Sequence, residues 1–206
     1  MKKKTAQRRE GERQKRKTQI IRAARKVFLK KGYQGATIRD IARESSLSTG
    51  SLYFYFKGKD EIYGQICENI MELTHQELLK GVNVEGTFLE KLSALAKAYV
   101  GFYVKFREDF DLLESAYKQV ILPQEVNQRI EQLVYQSLAL LNKVFVEAVQ
   151  SRIISQNTDT WELTLALWSD IEGAIYLHKR DFLGGLKINL FEFVENKTRI
   201  FERGIR

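Results

Sequence analysis

The chain has 206 residues, 44% of them hydrophobic, with a net charge of +8, one proline (Pro123) and one cysteine (Cys67). That length builds one or two domains with real cores, and the scarcity of proline and of alternating apolar runs predicts an all-α protein. A lone cysteine excludes an internal disulfide framework, and no apolar run approaches the ~18 residues that span a bilayer. Residues 1–17 carry charge with no apolar stretch behind them. A secretory signal is therefore not expected, and a cytoplasmic location fits.

Charge is unevenly spread. Residues 1–65 hold 18 lysines and arginines against 6 acids, whereas residues 66–206 hold 16 against 20. A basic first third is the electrostatic footprint of a partner with many negative charges. A solubilising tail would account for residues 1–17 alone. It would not account for Arg22, Arg25, Lys26, Lys30, Lys31, Arg39 and Arg43, which carry the excess into patterned sequence.

In chain order, residues 1–16 lack apolar periodicity and read as a flexible basic arm. Ile20, Ile21, Ala24, Val27 and Phe28 then recur at helical spacing, and Lys30, Lys31 and Gly32 close that helix. Thr37 is placed to cap a second helix, with Asp40 three residues on, and Ile38, Ile41 and Ala42 form its buried face. Ser45–Leu47 make a tight turn, and Ser48 caps a third helix predicted to run through Phe56. Lys57 and Gly58 break it, and a long fourth helix runs from about Lys59 to Leu79. Three short helices, the second and third joined by a tight turn, are the pattern of a helix-turn-helix. In the third helix Leu52 and Phe56 share a face and, with Leu47, anchor the core. Tyr53 and Tyr55 then point outward, and Phe54 falls between the two faces. The alternative, with all four aromatics in the core, is hard to place in so short a helix. Ser48, Thr49, Gly50 and Ser51 offer small polar groups to phosphates or base edges.

Beyond a glycine-bearing break at 80–86, aromatic and apolar residues recur from Phe88 to Tyr117, Pro123 marks a boundary, and a helix of about 25 residues follows. A polar loop at 155–159 precedes two last helices, 161–180 and 187–203. Tyr99, Phe102, Tyr103, Phe106, Leu113, Tyr117 and Trp168 are candidates to line a cavity for an apolar or aromatic effector, with a cationic one left open by Asp109, Asp111 and Glu114, against the plainer reading of core packing. Leu163, Leu167, Asp170, Ile171, Ala174 and Leu177, with Leu190, Phe193, Val194 and Lys197, form stripes that suit either a dimer interface or internal core. His75 and His178 stand far apart, and no metal spacing, phosphate loop or nucleophile motif is visible, so neither an enzyme nor a bound cofactor is expected.

The run TIRDIARESSLSTGSLYFYFKGKDEI, residues 37–62, resembles the DNA-binding signature of TetR-family transcriptional regulators, and IIRAARKVFLKKGY, residues 20–33, resembles the helix that precedes it. The resemblance implies an all-α fold with an N-terminal helix-turn-helix (residues 17–63) joined by a long fourth helix to an effector-binding and dimerisation domain (residues 64–206). It implies a homodimer on a palindromic duplex operator, most commonly a repressor released by a small molecule. Activation, or architectural DNA binding without an effector, remains the alternative. Carried over by position, Thr37, Arg39, Ser48, Thr49, Gly50, Ser51, Tyr53, Tyr55 and Lys59 would contact DNA, Lys59 through a phosphate.

Overall fold

The structure is a computed structural model that describes residues 2–119 and 122–205, except for the side chains of residues 2–6 and 117–119. Among the described residues every regular element is helical. They fall into two compact units.

The first unit combines Met1–Ile70 with Glu108–Ile130. It contains α1 (Lys2–Gly35), α2 (Ile38–Glu44), α3 (Thr49–Tyr53), the start of α4 (Lys59–Val82), most of α6 (Arg107–Gln119) and the start of α7 (Gln124–Gln150). Ile20, Ala24 and Phe28 of α1, Ile41 of α2, Leu52 of α3, then Phe56 and Ile62, bury almost completely into one core. Each such large side chain contributes about 1.5–3 kcal/mol by leaving water. The Tyr63 ring meets Phe28 edge-on at 4.8 Å and Tyr33 at 5.1 Å. Its buried hydroxyl donates to the Leu112 carbonyl at 2.8 Å, which satisfies it and brings in α6. Three ion pairs draw in the 108–130 segment as well: Arg25 holds Asp109 at 2.6 Å and Glu108 at 3.1 Å, and Arg129 holds Glu68 at 2.6 Å.

The N-terminal residues differ from the expected arm. Residues from Lys2 onward are helical and continuous with α1. Apart from Gly11, residues 2–17 are mainly good helix formers, and extending a helix already nucleated by Ile20–Phe28 adds one bond per residue fixed. The path breaks at Gly32, whose φ of 67° and ψ of 169° suit a residue without Cβ. The third helix is also shorter than expected. It spans Thr49–Tyr53 and not Ser48–Phe56, because the amides of Tyr55 and Phe56 both turn back to the Leu52 carbonyl and tighten the chain there.

The second unit combines Met71–Arg107 with Glu131–Arg206. It holds the rest of α4 and α7 with α5 (Phe88–Lys105), α8 (Thr160–Lys179), α9 (Phe182–Gly185) and α10 (Leu190–Ile205). α10 packs on α5 and α8. Leu190, Val194 and Thr198 repeat every fourth residue and bury one stripe of α10. Leu167, Ile171 and Ala174 of α8 bury likewise.

Candidate nucleic-acid interface

The surface in question is built on α2, α3 and the loop after it. Thr37 caps α2: its hydroxyl accepts from the Asp40 amide at 3.2 Å, while the Thr37 amide and hydroxyl donate to the Asp40 carboxylate at 3.2 and 2.8 Å. Lys31 and Arg43 also hold that carboxylate, at 2.7 and 2.9 Å. These partners, the Lys31 ammonium first and then Thr37, draw the Asp40 carboxyl down to about 2. α3 starts in the same manner. The Ser48 hydroxyl accepts from the Ser51 amide at 3.0 Å and shares a 2.8 Å bond with the Ser51 hydroxyl. Ser46, with φ of 55°, makes the turn between the two helices.

Burial sorts the aromatic run as expected at Tyr53 and Phe56, whereas Tyr55, expected to point outward, is only partly exposed. Leu52 and Phe56 are core, Tyr53 is 56% exposed, and Tyr55 is half-buried. Phe54, which helical spacing left between faces, is 73% exposed, since the helix has ended before it. It meets Tyr55 edge-on at 5.2 Å. Arg39, Ser48, Thr49, Gly50 and Ser51 are all exposed. Leu47, expected as a third core anchor, is only half-buried. Lys59 has two internal partners, the carbonyls of Tyr33 at 3.0 Å and Ala36 at 3.3 Å, and its ammonium lies 4.3 Å from the Tyr33 ring centre. Of its three N–H donors, one is left for a phosphate.

An open cleft of about 830 Å³ lies beside this surface, between the first turns of α1 and the Phe54–Tyr55 loop. Arg9, Arg13 and Arg16 line it. Their spacing was legible in the sequence but is polar throughout, so a search for apolar periodicity passed over it.

The residues proposed for an effector divide between the units. Tyr99, Phe102, Tyr103 and Phe106 run along the C-terminal half of α5 and its end, and Trp168 is half-buried on α8 of the same unit. Phe102 and Phe106 lie 4.8 Å apart, and the Tyr99 hydroxyl donates to Glu172. Tyr103 meets His178 edge-on, and Arg107 donates to the His178 Nε2 at 3.0 Å. Burial, then the Arg107 charge, holds the His178 pKa below its ordinary value. Leu113, in contrast, is buried in the first unit, and the Tyr117 side chain lies outside the described residues.

The stripes offered as a dimer interface need correction. Leu167, Ile171, Ala174, Leu190 and Val194 are buried within the single chain, so they hold α8 and α10 to their own unit. Asp170 and Lys197 pair with each other at 3.0 Å. Leu163, Leu177 and Phe193 are half-buried. The exposed apolar groups on these helices are instead Leu165, Tyr176, Phe191 and Ile200. Apolar periodicity finds a helix's most buried face, and here that face is taken up inside the protomer.

A capped helix-turn-helix on a basic unit defines a DNA-binding protein. Residues 20–66 match the family model described as "Bacterial regulatory proteins, tetR family". The HTH-type transcriptional regulator HbdR of an Aromatoleum species is 38% identical over 84 residues, covering 41% of this chain and 37% of that relative. The chain thus spans well under half the length of that relative. The fatty acid metabolism regulator protein of Bacillus subtilis is 25% identical over 149 residues, covering 68% of this chain and 72% of the other. The solved FadR regulator of Bacillus subtilis, in complex with stearoyl-CoA, superposes with a TM-score of 0.74 at 21% identity, covering 92% of this chain and 99% of that one. Residues 20–66 thus carry the DNA-binding domain of TetR-family regulators, and the relatives and solved neighbours alike indicate a TetR-family transcriptional regulator. Members of this family are DNA-binding regulators and not enzymes. No described helix is long and apolar enough to cross a membrane, and no described group of His, Cys, Asp or Glu is placed to hold a metal ion.

Proposed function

We propose that this chain is a repressor that binds a palindromic duplex operator as a homodimer and leaves it when a small apolar effector binds. The observation that carries the reading is the exposed set Ser48–Ser51 and Tyr53, held over a core of Leu52 and Phe56 by two capped helices. In the bound state Thr49, Gly50 and Ser51 reach base edges, while Thr37, Arg39, Tyr53, Tyr55 and the remaining N–H of Lys59 take phosphates. Two copies read half-sites about one helical turn apart, or a multiple of it. Leu165, Tyr176 and Ile200, exposed on α8 and α10, supply the apolar surface for the second copy. In this reading the functional division is 17–63 for DNA and 64–206 for effector and partner.

The effector proposed is a long-chain acyl group, carried as a thioester. Its support is the aromatic residues along α5 and the names of two relatives, a fatty acid metabolism regulator and a regulator bound to stearoyl-CoA. Release requires that the effector bind the DNA-incompetent state more tightly than the competent one.

The test is selection of bound duplexes from a random pool, repeated with free fatty acids and acyl-CoAs of graded chain length. The expected result is an enriched palindrome released by long-chain acyl-CoA. An unenriched pool would overturn the reading, and an enriched palindrome that no acyl compound releases would overturn its effector.

A further inference from the structure

The N-terminal turns of α1 are polar, yet they are strongly sided. Arg9, Arg13 and Arg16 stand at i, i+4 and i+7 of one helix line, and the next member, Ile20, is fully buried. The same line continues through Val27 in the core. The three arginines therefore extend the face with which α1 packs on α2. From residue 7 onward the opposite line carries Gln7, Gly11, Gln14 and Thr18, all exposed and all uncharged, after Lys4 at its start. All residues from Gln7 to Arg16 are exposed, and Arg8 and Lys15 stand off the arginine line, so what singles out Arg9, Arg13 and Arg16 is that their line runs into the packed face of α1.

Two contacts fix which way this line points. The Lys17 ammonium lies 5.4 Å from the ring centre of Phe56, and the Gln19 amide donates to the Ser45 carbonyl at 2.7 Å. With the helix so seated, the arginines form one wall of the cleft whose other wall is Phe54 and Tyr55. Glu10, Glu12, Lys15 and Gln19 also border the cleft, off the arginine line, and Arg8 already pairs with Glu12 at 3.2 Å. Three stacked like charges repel one another along the helix. A run of phosphates would relieve that repulsion.

We infer that residues 2–17 form a rigid basic helix, about 24 Å long at 1.5 Å per residue, which lies on the DNA backbone outside the half-site that α3 reads. The cleft holds one sugar–phosphate strand between the arginine line and the exposed aromatic loop. Its partner is flanking duplex of any sequence, because arginine contacts to phosphates carry no base information. The inference rests on the DNA-binding reading above, and it replaces a mobile arm with a fixed register: the outer contacts fall at one distance from the recognition helix.

The experiment compares the full chain with two variants on the selected operator, by hydroxyl-radical footprinting and by affinity across a salt series. The triple variant Arg9→Gln, Arg13→Gln, Arg16→Gln touches only exposed side chains, so the head keeps its melting curve. It is expected to lose protection outside the half-sites, keep it within them, and flatten the slope of log affinity against log salt by about 0.9 per lost contact, ~3 per head. The variant Gln14→Pro keeps every charge but breaks the helix. It is expected to lose the outer protection too. Unchanged footprint and slope in the triple variant would overturn the inference, and outer protection retained in Gln14→Pro would replace the rigid helix with a flexible arm. If the unaltered chain selects no sequence at all, the DNA-binding reading itself fails.

Discussion

Asp40 shows how tightly the reading surface is held at the level of single groups. Its carboxylate receives Lys31, Arg43 and both donors of Thr37, and sits near a pKa of about 2. Because the folded value lies below that of a free carboxyl, ~3.9, this contribution is complete above pH ~4 and is lost as pH falls toward 2. The stability difference between the unaltered chain and Asp40→Asn should therefore shrink over that interval in urea titrations; a difference that stays constant from pH 5 to pH 2 would exclude the mechanism. Thr37→Ala should cost the head about 1 kcal/mol, the usual loss for an N-cap. Thr37, Asp40 and Ser48 were legible in the sequence because capping is local: the partners sit within three residues of each other. Phe54 was not, since its direction depends on where α3 stops, which the Leu52 carbonyl decides by taking both following amides.

At the level of helices, the periodic pattern located α4, α7, α8 and α10 to within a few residues, whereas the run read from Phe88 to Tyr117 is two helices, α5 and α6, parted at Phe106. The pattern could not say which stripe meets which neighbour. The residues of α8 and α10 offered for a second copy proved to be the most buried in their own unit. Lys59 is a related case. Its place at the start of α4 suggests a phosphate ligand, whereas its two carbonyl bonds tie α4 to the connection before α2. Lys59→Met should destabilise the head by about 1–2 kcal/mol, charge-assisted bonds at a half-exposed site being worth somewhat less than buried ones. It should flatten the salt slope by no more than one contact, about 0.9. A loss of operator affinity with an unshifted denaturation midpoint would mean that the lysine serves only DNA. Gly64 is tighter still: a Cβ there would clash with Val126 Cγ1. Gly64→Ala should cost about 1–3 kcal/mol through overpacking, read as a lowered denaturation midpoint.

For the molecule as a whole, charge distribution was the most informative feature of the sequence, since it needs no knowledge of contacts: the basic excess lies in residues 1–65. The proposed pairing of two copies is a different matter, because it depends on what the single chain leaves uncovered. Ile200, 70% exposed on α10, is the sharpest such group. Sedimentation at micromolar concentration should return a dimer for the unaltered chain and a monomer for Ile200→Glu combined with Leu165→Glu, with helical content unchanged. A dimer for both would remove α8 and α10 from the pairing, and a monomer for both would overturn the pairing itself.

The first compact unit is discontinuous in sequence, and this bears on how such proteins can be recombined. Residues 108–130 supply the carbonyl for Tyr63, both acids for Arg25 and the guanidinium for Glu68. A reading head excised at residue 70 would leave these groups facing water with their partners missing. Grafting the head onto a relative's sensor would then exchange only part of a core, and the graft would have to carry α6 and the first turns of α7 along with it. Natural shuffling of heads and sensors across this junction should meet the same constraint: substitutions at Arg25, Tyr63 or Glu68 are tolerated only when the distant segment changes with them.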